Sequence, residues 1–122
     1  MHYHIHYKNQ HITDGVLIKE HINKNIYSTF NIKELCPVLK KSESQLRRIF
    51  KKEFGISPYE YFLQQKVEKA KQFLKITNIQ IKQIAYNLHF SDEYYFSTTF
   101  KARTGMSPSQ FRKSYIQTSI DD

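Results

Sequence analysis

Two stretches of this chain carry the same pattern. "LRRIFKKEFGISPYEYF" begins at Leu46, and "FSTTFKARTGMSPSQF" begins at Phe96. Ile32, Leu35, Cys36, Leu39 and Ser42 match Ile81, Ile84, Ala85, Leu88 and Ser91 at an offset of 49. Leu46, Phe50, Lys51, Gly55, Ser57 and Pro58 match Phe96, Phe100, Lys101, Gly105, Ser107 and Pro108 at an offset of 50. One residue has therefore been added near Asp92. A chain of 122 residues that repeats itself in this way is one small domain, or two lobes sharing an element.

Each copy reads as a short helix, a tight turn and a second helix of similar or greater length, which is the helix-turn-helix pattern. The turns fall at Lys40-Lys41 and His89-Phe90. Cys36 and Ala85 place a small side chain where the two helices of a unit would cross. Pro and Gly number three each and act as punctuation between helices. The expectation is an all-α fold of seven helices, with two helix-turn-helix units joined by a long central helix.

The first helix runs from about Thr13 to Ile26, with Ile18, Ile22 and Ile26 on one face. Asn31-Ile32-Lys33-Glu34 predicts a capping box for the second, with Leu35 and Leu39 inward. The third spans Ser42 to the residue before Gly55, which suits the left-handed cap. Ser57-Pro58-Tyr59-Glu60 opens the linking helix, with Leu63, Val67, Ala70 and Leu74 as its apolar stripe. The fifth covers about Gln80 to Leu88, and the sixth Ser91 to Thr104. Ser107-Pro108-Ser109-Gln110 opens the seventh. In domain terms, residues 1–12 are a tail or linker and 13–117 the double unit. Within it, 31–55 is the first unit, 57–75 the linking helix and 80–105 the second unit. Residues 118–122 form a frayed end.

The outer faces of the second helices carry the functional signal. Ser44, Arg47, Arg48 and Lys51 recur at helical spacing opposite Leu46, Ile49 and Phe50; the same offsets give Tyr94, Ser97, Thr98 and Lys101. Arg can grip guanine O6 and N7 with two bonds, and Lys and Ser suit phosphate oxygens. The formal net charge is +8, which favours a polyanionic partner. The linking helix is roughly 28 Å long at 1.5 Å per residue, and can hold two reading helices about one DNA turn apart. A single chain could then occupy a site without palindromic symmetry.

These residues resemble the C-terminal DNA-binding domain of the AraC/XylS family of bacterial transcription regulators. The resemblance runs from about Val16 to Tyr115 and is most specific in "IKQIAYNLHFSDEYYFSTTFKARTGMSPSQFRK", residues 81–113. It implies seven helices, two helix-turn-helix units and activation of transcription through contact with RNA polymerase. Base contacts carried over from the family fall on Ser44, Arg47 and Arg48, then Glu93, Tyr94 and Thr98. Together with Ser97, these are the expected base-reading residues. Lys40, Lys41, Ser42, Lys51, Lys52, Ser57, Lys101, Arg103, Ser107 and Arg112 are the expected phosphate contacts. The chain departs from the family pattern at four places. Lys40 and His89 stand where a turn glycine is usual, Thr98 replaces a frequent Arg, and Pro37 sits inside the second helix, where it should bend or shorten it. Cations crowd the first unit, so it is expected to carry most of the affinity.

Rival readings are narrower. A protein-interaction module docking on RNA polymerase, with only weak DNA contact, is the alternative from another class. His2, His4 and His6 alternate in "MHYHIHYKNQ", and in an extended segment they would share one face suited to a metal; the reading adopted is a tail with no metal. Cys36, the single cysteine, excludes an internal disulfide and fits a reducing compartment. No catalytic triad or phosphate-binding glycine loop is present, so no enzyme activity and no cofactor are expected. There is no long apolar run for a membrane span. A cytoplasmic protein, nucleoid-associated when on DNA, follows. Two alternatives stay open for residues 1–12: a remnant of the linker to an upstream sensor domain outside this chain, or the start of a sensor-free regulator.

Overall fold

The computed structural model describes residues 12–121, with side chains described to residue 116. The described residues form helices and no strands. We label them α1 (Asp14–Lys24), α2 (a 3-10 turn Ile32–Leu35 continuing as Cys36–Leu39), α3 (Glu43–Phe54), α4 (Pro58–Ile76), α5 (Ile81–Asn87), α6 (Glu93–Thr104) and α7 (Pro108–Asp121). Seven helices, two helix-turn-helix units and a long central helix are the architecture expected from the repeat. Residues 1–11, with the alternating histidines, lie outside the described residues. Of the expected frayed end, 118–122, the backbone is described as far as Asp121 and is helical there.

The repeat is real in three dimensions. α3 and α6 have 12 residues each. Both end on a left-handed glycine, Gly55 at φ 84 and Gly105 at φ 86, whose N–H donates to Lys51 O and Lys101 O at 2.8 Å. The two tight turns also match. Lys40 (φ 55) and His89 (φ 60) both take the left-handed conformation, so these turns form without the usual glycine and carry its strain. Lys41 N–H then reaches Cys36 O at 3.3 Å, and Phe90 N–H reaches Ala85 O at 3.0 Å.

The helix caps refine the alignment. Ser42 caps α3 in a full capping box with Gln45, but its counterpart on α6 is Asp92, whose carboxylate accepts from Tyr95 N–H at 2.7 Å. Ser91 is therefore the inserted residue, and Ser42 pairs structurally with Asp92.

α2 differs from its expected form. Asn31 accepts from Lys33 N–H at 3.0 Å, which tightens the start into a 3-10 turn in place of a capping box with Glu34. The α-helical part begins only at Cys36, with Pro37 in its first turn. Proline has no N–H to donate backwards, and the helix divides there.

α4 serves two cores. Ile18, Ile22, Ile26, Ile32, Leu35, Leu46 and Phe50 pack on Tyr61 and Phe62 near its start. Ile84, Ala85, Leu88, Phe90, Phe96 and Phe100 pack on Val67, Ala70 and Leu74 further along. Each fully buried Leu, Ile or Phe here contributes about 1.5–3 kcal/mol relative to exposure. Phe50 and Phe100 are wholly buried equivalents, and their burial turns the polar faces of α3 and α6 outward.

Candidate nucleic-acid interface

On α3, Ser44, Arg47, Arg48 and Lys51 are exposed, opposite the buried Leu46 and Phe50. Arg47 forms an ion pair with Glu43 one turn earlier. Such an exposed helical pair is worth about 0.3–0.5 kcal/mol, so it orients the guanidinium without removing it from use. Arg48 makes no hydrogen bond or ion pair among the described residues. α3 therefore presents two guanidinium groups, one steered and one free.

On α6, Glu93, Tyr94, Thr98 and Lys101 are exposed and Ser97 is half-buried. Tyr94 is 78% exposed, a large ring with no core to fill. Thr98 Oγ1 donates back to Tyr94 O and Tyr95 O, both at 3.1 Å. Its hydroxyl proton is thus committed to the helix, leaving a methyl group and lone pairs outward. The second face is less cationic and less rich in donors than the first.

The expected phosphate contacts divide into three groups. Lys40, Lys51, Lys52 and Lys101 are exposed. Ser42, Ser57 and Ser107 cap α3, α4 and α7, accepting from the N–H groups of Gln45, Glu60 and Gln110 at 3.2, 3.2 and 3.1 Å. Each hydroxyl keeps its own proton for an outside acceptor, beside a helix N-terminus that favours anions. Lys41 and Arg103 have internal partners: Lys41 Nζ lies 2.7 Å from Asp14 Oδ2, and Arg103 Nη2 is 3.0 Å from both oxygens of Glu60.

Arg112 is placed otherwise than its sequence position suggested. Its Nε donates to Leu74 O at 3.2 Å, Nη1 to Ile79 O at 2.7 Å and Nη2 to Thr77 O at 3.2 Å. The guanidinium closes the α4–α5 loop from α7, with three of its five N–H groups on carbonyls. Arg112, expected on phosphate from the sequence, is held to this loop.

One residue escaped the sequence reading. Lys66, 3% exposed, lies between the two cores, and burial pushes its ammonium down to about 8. The available signal was its register, three residues after Leu63 and four before Ala70, inside the apolar stripe. Nearby, a hydrogen bond with Tyr95 raises the phenol of Tyr59 above its ordinary value, linking α4 to α6. Among the described residues, no three His, Cys, Asp or Glu side chains are grouped to hold a metal. No helix there is long and apolar enough to cross a membrane.

Two units of matched geometry, each turning one polar helix face outward, suggest comparison with known DNA-binding folds. A family model described as a helix-turn-helix domain matches residues 35–114. A solved structure of an AraC-type DNA-binding-domain regulator from Chromobacterium violaceum superposes with a TM-score of 0.76 at 26% identity, covering 85% of this chain and 93% of that one. The chain belongs to the AraC/XylS family. Among curated relatives, the HTH-type transcriptional regulator YfiF of Bacillus subtilis is 36% identical over 98 residues, covering 80% of this chain and 31% of YfiF. The arabinose operon regulatory protein of Escherichia coli is 36% identical over 85 residues, covering 70% of this chain and 29% of that protein. The chain thus spans about a third of the length of these two relatives. It carries the AraC-type DNA-binding domain of transcriptional regulators.

Proposed function

We propose that this domain reads double-stranded DNA in a sequence-specific way, as two unequal contacts on a site without palindromic symmetry. The observation that carries this reading is the pair of outward faces on α3 and α6, built on one α4. Their chemistry is unequal. Arg47 and Arg48, with Ser44, supply the base-reading groups of α3, while Glu93, Tyr94, Ser97 and Thr98 supply those of α6. A guanidinium can satisfy both acceptors of a guanine edge; an inward-bonded threonine hydroxyl offers no donor. α3 therefore carries most of the affinity, and α6 contributes apolar contact through the Tyr94 ring and the Thr98 methyl.

Lys40, Lys51, Lys52 and Lys101, and the capping Ser42, Ser57 and Ser107, contact phosphates. Lys41 and Arg103 join them by sharing their charge with Asp14 and Glu60. The domain acts in the cytoplasm as part of a regulator, and it activates transcription by touching RNA polymerase while on DNA. The family's role in operon regulation supports this step, and a reporter assay on a bound promoter tests its sign.

Footprinting on genomic fragments tests the DNA reading. Two protected segments about one helical turn apart are expected. With 6–10 phosphate contacts, affinity should fall by about 10³–10⁵ between roughly 50 and 200 mM salt. Binding that is indifferent to salt, with retained binding to polymerase, would instead favour the protein-docking reading.

A further inference from the structure

Lys66 occupies an unusual place for a lysine. It sits midway along α4, where the helix passes from the first core to the second. Its Nζ donates to Ser28 O at 2.9 Å, in the loop after α1, and to Leu88 O at the C-cap of α5. Two oxygens bonded to one nitrogen lie within about 6 Å of each other. One side chain therefore pins a loop of the first lobe against the turn of the second unit. The ammonium also lies 4.8 Å from the Phe62 ring centroid and 5.4 Å from that of Phe90. Phe62 belongs to the first core and Phe90 to the second, so the cation meets both lobes twice, by hydrogen bonds and by ring faces.

Leu88 is the last residue before left-handed His89, and that turn aims α6. A carbonyl held at Leu88 fixes where the turn starts. Among the described residues, Glu60 with Arg103 and Tyr59 with Tyr95 link α4 to the second reading helix nearer the start of α4. The Lys66 contact acts further along the helix, directly on the turn.

We propose that Lys66 is a positioning residue that sets the angular relation between α3 and α6, and with it the half-site spacing this domain accepts. The inference rests on the two-contact DNA reading above. It assigns Lys66 no contact with DNA, since the side chain is enclosed between lobes.

A duplex enriched from a random pool by the wild-type domain serves as the probe, together with a version scrambled under α6. A spacer series, lengthened one base pair at a time between the two contacts, completes the set. Wild type is expected to favour the full probe and one spacing. Lys66→Met should lose about tenfold on the full probe, since the second contact is no longer presented at its effective concentration. It should stay within about twofold on the scrambled probe and show a flattened spacing preference. Equal affinity of wild type and Lys66→Met for the full probe, with the same preferred spacing, overturns the proposal. So does a loss of equal size on both probes. Should Lys66→Met fail to fold, Lys66→Arg carries the test: its wider planar head must shift the preferred spacing, and an unchanged preference overturns the proposal. A wild type that gains nothing from the second contact refutes the two-contact reading itself, a result distinct from either outcome for Lys66.

Discussion

Replacing Arg112 with Ala should cost folding stability and leave the charge contact with DNA intact. The guanidinium satisfies the carbonyls of Leu74, Thr77 and Ile79. A hydrogen bond from a charged donor is worth about 1.5–3 kcal/mol. The three share one donor group, so their energies do not simply add, and the side chain is only partly enclosed. A net loss of about 3 kcal/mol is expected. At about 4 °C per kcal/mol for a domain of this size, the thermal midpoint should fall by roughly 12 °C. Arg112→Lys should recover less than half of it, because a single ammonium cannot span the fork. Circular dichroism melts measure the midpoint, and titrations across a salt series, well below the variant's midpoint, measure the DNA contact. An unchanged midpoint combined with a salt slope shallower by about one would show that Arg112 faces phosphate after all.

Arg47→Ala or Arg48→Ala should each cost about 1–3 kcal/mol in binding to the preferred duplex and relax one base preference. Thr98→Ala should cost less than either, because its hydroxyl is already bonded to α6; competition binding ranks the three, and a larger loss at Thr98 would invert the assignment. Gly55→Ala and Gly105→Ala each force a Cβ into the left-handed region with no neighbour within 4 Å. Each should lose about 1–2 kcal/mol in a urea melt from backbone strain alone, and a neutral result would mean the cap relaxes. Lys66 has a folded value lowered from 10.5 to about 8. Between those values the unfolded chain holds a proton that the folded chain has released, so this group's contribution to stability rises with pH there. The advantage of wild type over Lys66→Met should therefore grow by about 2 kcal/mol between roughly pH 7 and pH 10; a difference that stays constant contradicts the assignment.

Much of the fold was legible because its signals are local. Ser42, Ser57 and Ser107 before helices, Gly55 and Gly105 after them, and the stripe from Leu63 to Leu74 each act within a few residues. The outward faces of α3 and α6 follow from those stripes. What could not be read depends on distant partners. Lys41 meets Asp14 across 27 positions, Arg103 meets Glu60 across 43, and Arg112 reaches carbonyls 33 to 38 positions away. A linear chain shows a cation but not whether a carboxylate or carbonyl waits for it, so the internal partners of all three were not legible. α2 was misjudged for the opposite reason. Asn31 had two backbone donors within local reach, Lys33 and Glu34, and took the nearer one. Lys66 stood in plain view within the stripe, but its value lies in Ser28 and Leu88, which only the folded chain brings to it.

α4 is a single continuous helix of 19 residues, shared by both lobes. One residue inserted at its middle would swing everything downstream by about 100° and advance it by about 1.5 Å. The outward faces of α3 and α6 would then look in different directions, and both cores would be torn from their shared wall. Gradual change in the length of this helix is therefore closed to descendants of the architecture. The extra residue that distinguishes the two halves sits instead at Ser91, in a turn, where it leaves both helix caps and both cores untouched. Sequence drift in such a molecule is admitted at its joints and refused along its axle.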